Sequence, residues 1–403
     1  MSILKNENII CISWLVWDSI PLVMHQMMTR LAEHNRVLFV DPPVAYSNLA
    51  IKPSLLKNHF QKTLLWLRGV RKVKDNLHVF YPPPLVMQYG HVNFADKFNQ
   101  DLTARAIRKA ADSLGFKNPI LWIYHPYAIR PDGQFNEKLV CYDCNDDVGF
   151  FYCAHFNKRK KLAIMEEELT KNADIVFATS GNLFNLRRKQ NPRTYFFPSG
   201  IDFDHFRKAL SPSLPVANDM RNIPKPIIGF VGGMVNAKMN WSWIESASNA
   251  KVDWSFVFIG PCAEKPPGDI TRKKNIYFLG TRDMECLPQY LKAFDVCIIP
   301  YQGEEFLKNC FPTKVFEYLA AGKPVVSVSI PALEEYSKVI SLTRNVEEFI
   351  SNIENALKKG KDDAAVKSYI ETAGGETWEN RVKGVSEVIT LLLKQKRHAD
   401  NAN

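Results

Sequence analysis

A lysine and a glutamate three residues apart could bind an anionic ligand that also carries hydroxyl groups. They are Lys314 and Glu317, within the stretch 311–326, FPTKVFEYLAAGKPVV. Pro312 and Thr313 precede the lysine, and a proline suits the first helical turn, so a short helix is predicted to begin here. A helix N-terminus attracts anions, and Lys314 adds a full charge there, while Glu317 could accept hydrogen bonds from a sugar diol. A plain helix capped by proline and glycine is the alternative interpretation.

A second feature is a glycine turn after an apolar strand. The run Ile-Ile-Gly-Phe-Val ends in Gly232 and Gly233, and Lys238 follows. Glycine permits positive φ and lets a ligand phosphate approach the backbone closely. The full G-x-G-x-x-G pattern is absent, so a nicotinamide cofactor has little support. The turn and Lys238 are therefore predicted to meet the same anion as Lys314.

Chain length and charge limit the number of domains and the kinds of partner to expect. A chain of 403 residues predicts two domains, and its net charge of +10 is unevenly placed. The segment 52–74 holds seven Lys or Arg and no acid, and 158–161 and 187–189 are further basic clusters. This asymmetry favours an anionic surface or acceptor, and 52–74 could form an amphipathic helix on an anionic membrane. A helix packed on the sheet, or solvated helix faces, would explain the same residues.

No secretory signal or membrane span is visible in the sequence. Cys141 and Cys144 form a lone C-x-x-C, which we interpret as a strand end with reduced thiols rather than a redox or zinc site. The expected location is cytoplasmic, with possible peripheral attachment to the inner face of the cell membrane.

Apolar runs of strand length alternate with helical patterns, which predicts parallel sheets. The last strand is expected at Lys338–Ser341 and the final helix at Trp378–Lys396. The segment 211–226 is rich in Pro, Ser and Asn without periodicity, which is typical of an inter-domain linker.

The stretch PTKVFEYLAAGKPVV resembles the nucleotide-sugar-binding signature of GT-B glycosyltransferases, in the group 1, teichuronic-acid-biosynthesis-like branch with P-x-K-x-x-E-Y. Tyr-Asp-x-x-Asp-Asp and Phe-Pro-Ser-Gly-Ile-Asp also look like the close of a GT-B acceptor domain. The resemblance implies an α/β protein with two Rossmann-like domains facing across a cleft and a C-terminal helix crossing back to the first domain. The implied division is an acceptor domain 1–210, the linker 211–226, a donor domain 227–375, and a helix and tail 376–403.

By the same resemblance, Lys314 would hold the donor diphosphate and Glu317 the ribose hydroxyls. Relatives often have a basic residue at the position of Lys238, which would also meet the diphosphate. Arg282 would lie beside the nucleobase. Many retaining relatives carry a second glutamate eight positions before the first, where this chain has Asn309. The chain is therefore expected to be a glycosyltransferase that uses a UDP-sugar, without metal or other cofactor, and inversion is favoured slightly.

An inverting reaction needs a base for the acceptor hydroxyl. Three acids follow a buried run, and Asp147 is the first choice, with Asp146 and Asp143 close behind. Asp18 and His25 compete with them, because some inverting relatives use a residue after the first strand. The acids could instead cap the following helix, and they could bind Mg²⁺ only if the carboxylates converge.

The expected partners are a nucleotide sugar, a saccharide or lipid-linked acceptor and an anionic membrane surface. Nucleic acid is not expected, because the basic clusters lack interleaved aromatics or a known module. Two other functions remain open from the sequence. A sugar-nucleotide epimerase would turn over without an acceptor, and a non-catalytic GT-B protein would bind a membrane or an envelope assembly.

Overall fold

The computed structural model describes residues 3–19, 21–46, 56–85, 93–130, 132–145, 156–262, 264–359 and 362–400. The chain divides into two compact units. The first is Met1–Pro198 with Arg381–Asn403, and the second is Ser199–Asn380. The segment 211–226 lies within the second unit, where Ala217, Met220 and Ile223 are buried in its core.

The first unit is built on a sheet of eight strands. They are β1 (Asn8–Ile12), β2 (Arg36–Val40), β3 (Val70–Lys74), β4 (Leu77–Phe80), β5 (Ile120–Ile123), β6 (Leu139–Cys144), β7 (Ile175–Ala178) and β8 (Thr194–Phe196). Their order is β3-β4-β2-β1-β5-β6-β7-β8, and every pairing is parallel except that of β3 with β4. Parallel strands covered on both faces are expected to be apolar, as β5 and β7 are throughout and β1 is after Asn8.

The helices of this unit connect or cover the strands. They are α1 (Val23–Leu31), α2 (Leu56–Arg68), α3 (Asn93–Ser113), α4 (Phe156–Asn172), α5 (Gly181–Arg188) and the part of α13 (Trp378–Asp400) that begins at Arg381. On α13, Val385, Ile389 and Leu392 are buried. The prediction that the C-terminal helix returns to the first domain is confirmed by the assignment of this segment to the first unit.

The second unit is built on a parallel sheet of six strands. They are β9 (Ile227–Val231), β10 (Ser255–Ile259), β11 (Ile276–Gly280), β12 (Val296–Ile299), β13 (Val325–Val328) and β14 (Ser341–Thr343). Their order is β11-β10-β9-β12-β13-β14. The helices are α6 (Phe203–Arg207), α7 (Trp241–Ala250), α8 (Leu287–Ala293), α9 (Glu304–Asn309), α10 (Lys314–Ala320), α11 (Val346–Lys359) and α12 (Asp363–Gly375).

Both sheets contain the doubly wound strand order, in which the winding reverses direction beside the first strand. The reversal falls between β1 and β5 in the first sheet and between β9 and β12 in the second. In such sheets, ligands bind outside the carboxyl ends of the strands at this point of reversal. The fold class predicted from the sequence, two Rossmann-like α/β domains, is confirmed in each unit.

Two local predictions need correction. The last strand begins at Ser341, not Lys338, because Val339 and Ile340 donate to the Tyr336 carbonyl in a turn. The basic segment 52–74 is also more than one helix. After α2 it forms the edge strand β3, whose pairing with β4 is antiparallel.

Candidate functional site

The ammonium group of Lys314 lies at the carboxyl end of β12. Its Nζ donates a hydrogen bond of 2.9 Å to the hydroxyl of Tyr301, the second residue after the strand. The same Nζ is 5.5 Å from the centre of the Tyr301 ring and 5.8 Å from that of Phe230 on β9. The Tyr301 hydroxyl binds the ammonium and the aromatic ring of Phe230 attracts it, so the charge is held at the point where the second sheet reverses its winding.

Lys314 is charged at neutral pH. Burial disfavours its ammonium form, but Tyr301, Glu317 and Cys310 nearby outweigh burial and raise the pKa of Lys314 above its usual range. The pKa of Glu317 is raised by burial, and the charge of Lys314 opposes that shift. The hydrogen bond found for the ammonium is to a neutral hydroxyl. The ammonium could therefore exchange this hydroxyl for an anionic partner without breaking an ion pair.

The glycine turn after β9 is shaped by this lysine. Gly232 has φ +152°, and a methyl group placed on it would lie 2.8 Å from Cε and 3.2 Å from Nζ of Lys314. A methyl group on Gly260, at the end of β10, would lie only 2.2 Å from the carbonyl oxygen of Gly232. Gly233 has open space on its side-chain side. Only glycine fits at the first two positions, which leaves backbone and ammonium side by side.

Tyr318 fixes α10 relative to β9. Its buried hydroxyl accepts a hydrogen bond of 2.8 Å from the Val231 N–H and donates one of 3.2 Å to the Val231 carbonyl. These bonds connect the helix that carries Lys314 with the last residue before the glycine turn. A buried hydroxyl with both roles filled positions its element precisely.

The predicted start of the helix needs correction. Pro312 and Thr313 precede α10, which begins at Lys314. Thr313 makes no capping hydrogen bond with its side chain, and the Pro312 carbonyl accepts from the Val315 N–H at 3.0 Å. Glu317 is half-buried in the first turn. Lys314 and Glu317 thus share the helical turn that their spacing predicts.

The other two predicted donor-binding residues have protein partners. Lys238 Nζ lies 4.7 Å from the centre of the Phe306 ring. Arg282 donates from Nε to the Tyr290 hydroxyl at 2.6 Å and from Nη2 to Asp219 at 2.7 Å. The carboxylate and hydroxyl raise the pKa of Arg282 further. Its predicted position beside a nucleobase stays a prediction.

The predicted acids fall into two groups. Asp146 and Asp147 lie outside the described residues. Asp143, at the end of β6, is fully buried and accepts a hydrogen bond of 2.8 Å from Nη2 of Arg381. Arg381 also donates to the carbonyls of Phe197 and Pro198. We therefore assign Asp143 a structural role, because its carboxylate neutralises a buried guanidinium.

The two alternative candidates for the base, which follow β1, also have protein partners. Asp18 is exposed and forms an ion pair of 2.8 Å with Arg71 on β3. His25 is buried, and its Nδ1 accepts from the Leu22 N–H at 3.1 Å while Nε2 lies 3.1 Å from the Val16 carbonyl. Burial lowers the pKa of His25, so the ring is neutral. With both nitrogens bonded to backbone, His25 holds the loop after β1 and is unsuited to act as a base.

Sequence reasoning missed two residues, Tyr301 and Asp41. Each follows a buried strand, β12 and β2 respectively, and that position was the available signal. Asp41 is buried, and its Oδ1 accepts a hydrogen bond of 2.8 Å from the Trp17 N–H. Burial raises the pKa of Asp41 to about 7, although the Trp17 N–H and Lys62 oppose the shift.

The two cysteines of the C-x-x-C, Cys141 and Cys144, are buried thiols on β6 that form no disulfide. Burial raises the pKa of both, which disfavours a reactive thiolate. The described part of the chain holds no group of three or more His, Cys, Asp or Glu side chains placed to bind a metal ion.

Known proteins resemble both the sequence and the fold. The family described as "Glycosyl transferases group 1" matches residues 225–359. A protein of Bacillus subtilis (strain 168), provisionally named teichuronic acid biosynthesis glycosyltransferase TuaH, is 26% identical over 232 residues. That match spans 54% of this chain and 57% of the relative, so a little over half of each protein is compared.

Solved structures match over nearly the whole length. Sucrose-phosphate synthase (tll1590) from Thermosynechococcus elongatus aligns with a TM-score of 0.66 and 15% identity, over 97% of this chain and all of that one. Anabaena Alr3699/HepE, in complex with UDP and glucose, aligns with a TM-score of 0.60 and 14% identity, over 96% and 99% of the two chains. Residues 225–359 are thus a group 1 glycosyltransferase domain, and the chain has the GT-B fold. The resemblance found in the sequence is confirmed.

The structural role of Asp143 predicts a large loss of stability on substitution. Asp143→Asn would leave the Arg381 guanidinium buried without a counter-charge, which costs about 3–5 kcal/mol. Calorimetry should show a clearly lower Tm. The control, Glu167→Gln, removes the exposed ion pair of 2.7 Å with Lys171 and should change the Tm little. An unchanged Tm in Asp143→Asn would contradict the assignment.

The buried Asp41 carboxyl predicts a pH-dependent stability. Its folded-state pKa, about 7, lies above the ordinary value of 3.8, so its ionisation costs stability progressively as the pH rises from about 4 to 7. Asp41→Asn does not titrate and can still accept from Trp17. The variant should therefore be more stable than the wild type at pH 8, by up to about 4 kcal/mol in the free energy of unfolding, and lose that advantage near pH 4. Thermal unfolding between pH 4 and 8.5 measures this, with the surface substitution Asp112→Asn as control. A pH-independent difference would contradict it.

Proposed function

We propose that the chain transfers a sugar from a nucleotide-diphosphate sugar to a saccharide or lipid-linked acceptor of the cell envelope. The observation that carries the proposal is the Lys314 ammonium beside the Gly232 backbone, within a group 1 glycosyltransferase domain. A diphosphate is the anion that this arrangement fits, because a full charge and open backbone lie together at the sheet's ligand-binding edge. Glu317, one turn along the helix, would accept hydrogen bonds from the ribose hydroxyls.

Bond cleavage at the donor develops negative charge on the leaving diphosphate. Lys314 and the turn at Gly232 and Gly233 would stabilise that charge, and the rings of Tyr301 and Phe230 limit its solvation. These groups supply the electrostatic stabilisation from the protein itself, so we propose a metal-independent reaction. When the diphosphate arrives, it can replace the Tyr301 hydroxyl as the partner of the ammonium.

The donor and the stereochemistry are the finer part of the proposal. UDP is favoured because structural neighbours are described in complex with it, including the Anabaena protein and an Escherichia coli trehalose-6-phosphate protein bound with UDP-2-fluoro glucose. Asn309, at the end of α9, stands where many retaining relatives have a glutamate, which supports inversion. Asp147 and Asp146 are the predicted residues for the base.

The donor site predicts selective stabilisation by one nucleotide. A ligand at a hundredfold its Kd stabilises the fold by about 2.7 kcal/mol, which thermal unfolding detects readily. UDP should raise the Tm of the wild type, and Lys314→Ala should lose the shift because the charge opposite the diphosphate is gone. The control, Lys308→Ala, removes an exposed lysine of the same unit that pairs with Glu304, and should keep the shift. A UDP shift that survives in Lys314→Ala would exclude this donor site. A shift with GDP alone would show that the nucleobase of the donor is guanine and not uracil.

The helix α2 supports attachment of the enzyme to an anionic membrane. Its predicted apolar face is exposed, and its four members have exposures of 63%, 64%, 38% and 66%: Leu56, Phe60, Leu64 and Leu67. The buried or half-buried side chains of His59, Thr63 and Trp66 lie on its other faces. The helix and β3 carry Lys57, Lys62 and Arg68 and then Arg71, Lys72 and Lys74, with no acid among them.

An apolar face flanked by basic groups is the pattern of a helix that lies in the interface of an anionic bilayer. Within the described residues, no helix has the length and hydropathy to span one. We therefore propose peripheral attachment through α2 at the inner face of the cell membrane, where an amphiphilic acceptor would be within reach.

Membrane attachment can be measured by flotation with vesicles. The wild type should float with phosphatidylglycerol–phosphatidylcholine vesicles. The double variant Phe60→Asp, Leu67→Asp should bind at least tenfold more weakly, because it puts charge on the apolar face that would enter the bilayer. The matched control is Leu391→Asp, since Leu391 on α13 is 58% exposed in the same unit. Equal binding by all three proteins, or binding to neutral vesicles alone, would contradict the proposal.

A further inference from the structure

A cavity of about 280 Å³ lies at the carboxyl ends of three strands in the first unit. Asp18 follows β1, Asp41 follows β2 and Tyr81 follows β4, and all three line it. Leu65 and Arg68 line it from α2. The cavity is therefore at the edge of the sheet where α/β folds bind ligands, beneath the helix whose other face is apolar and exposed.

Tyr81 is the most informative residue in this cavity. It is only 3% exposed, and its hydroxyl makes no hydrogen bond of normal geometry within the described part of the chain, although the Val44 backbone lies close enough to oppose the rise that burial causes in its pKa. A buried tyrosine hydroxyl nearly always has a partner, because leaving it unsatisfied costs about 1–3 kcal/mol. Lys62 Nζ lies 4.7 Å from the centre of its ring and contacts the aromatic face. Because Tyr81 lines the cavity, a group that enters it is a candidate partner for this hydroxyl.

Asp41 offers a carboxylate oxygen as a second hydrogen-bonding atom. Its Oδ1 is bonded to the Trp17 N–H, whereas Oδ2 receives no hydrogen bond from a described residue. The groups whose charges act on this carboxyl are Lys62, Asp18 and Arg71, and burial outweighs all of them. A carboxyl near its titration midpoint at neutral pH can accept a hydrogen bond from a hydroxyl or donate one to it. The cavity therefore presents two hydroxyl-binding groups, Asp41 and Tyr81.

The rest of the lining sets the ligand class. Leu65, Val70 and Val79 provide apolar walls, which suit the carbon face of a ring. Arg68 is exposed at the end of α2 and forms no ion pair with a described residue, whereas Arg71 is already paired with Asp18. The volume is below the roughly 300–1,000 Å³ of drug-sized sites, so it fits about one sugar ring.

We propose that this cavity binds one hydroxyl-bearing ring of the acceptor, with Tyr81 and Asp41 bonding its hydroxyls and Arg68 pairing with an attached phosphate or carboxylate. The assignment to the acceptor rests on the proposed transferase function. The binding of an anionic sugar does not rest on it, because that follows from the lining of the first unit alone.

Binding can be tested on the full chain by ligand-observed NMR titration. The probes are α-D-glucose 1-phosphate, D-glucuronate, D-glucose and inorganic phosphate, with the galactose and N-acetylglucosamine counterparts. The sugar phosphate or the uronate should bind at least tenfold more tightly than the neutral sugar, and the better of the two identifies the anionic group. Tyr81→Phe should weaken binding at least fivefold, and Arg68→Ala should abolish the preference for anionic sugars.

The matched control is Tyr195→Phe, an exposed tyrosine on β8 of the same unit, which should bind like the wild type. Tyr81→Phe removes only a hydroxyl that makes no hydrogen bond of normal geometry within the described part of the chain, so the fold should be kept. The proposal is overturned if no sugar binds, if inorganic phosphate binds as tightly as the sugar phosphates, or if Tyr81→Phe leaves the affinity unchanged.

Testing each variant for binding at the other site distinguishes failure of this inference from failure of the proposed function. Lys314→Ala should keep sugar binding, and Tyr81→Phe should keep the thermal shift with UDP. A UDP shift without sugar binding would refute the cavity proposal alone. Sugar binding without any nucleotide shift would refute the transferase function and leave the cavity as a saccharide site.

Discussion

The structure of the second unit depends on a lysine charge held without a close anionic partner. Lys314 is half-buried, bonds the neutral hydroxyl of Tyr301 and lies between two aromatic rings. The surrounding groups keep it protonated in spite of burial. Such a charge is costly in a core but useful at a ligand site, because an incoming anion recovers the desolvation cost. Glycine is required at 232 by the positive φ of +152°, and a larger residue there would also displace the Lys314 side chain.

The sheet order explains why the charge is at this position. β9 and β12 are neighbours at the point of reversal, so the turn after one strand and the tyrosine after the other meet at the same edge. Tyr318 then fixes the helix that carries the lysine to the end of β9. The first unit uses the corresponding edge differently. There, Asp18, Asp41 and Tyr81 surround a cavity that α2 also lines, which suits a sugar ring with one anionic group better than a diphosphate.

Much of this arrangement was predictable from the sequence because it depends on local patterns. Apolar runs located the strands, and the lysine-glutamate spacing placed both side chains in one helical turn. The positions of Tyr301 and Asp41 were less predictable, because their importance comes from neighbours on other strands. The buried ion pair of Asp143 was not predictable for the same reason, since its partner Arg381 lies far along the chain. The exposure of the α2 apolar face, rather than its burial on the sheet, also required the fold.

The most direct test of the account is a crystal structure of the chain with UDP. We expect the diphosphate within hydrogen-bonding distance of Lys314 Nζ and of the backbone at Gly232 and Gly233, with the ammonium turned from Tyr301 toward the phosphate. The ribose hydroxyls should lie beside Glu317. UDP bound elsewhere on the chain, with the bond between Lys314 and Tyr301 intact, would contradict the account.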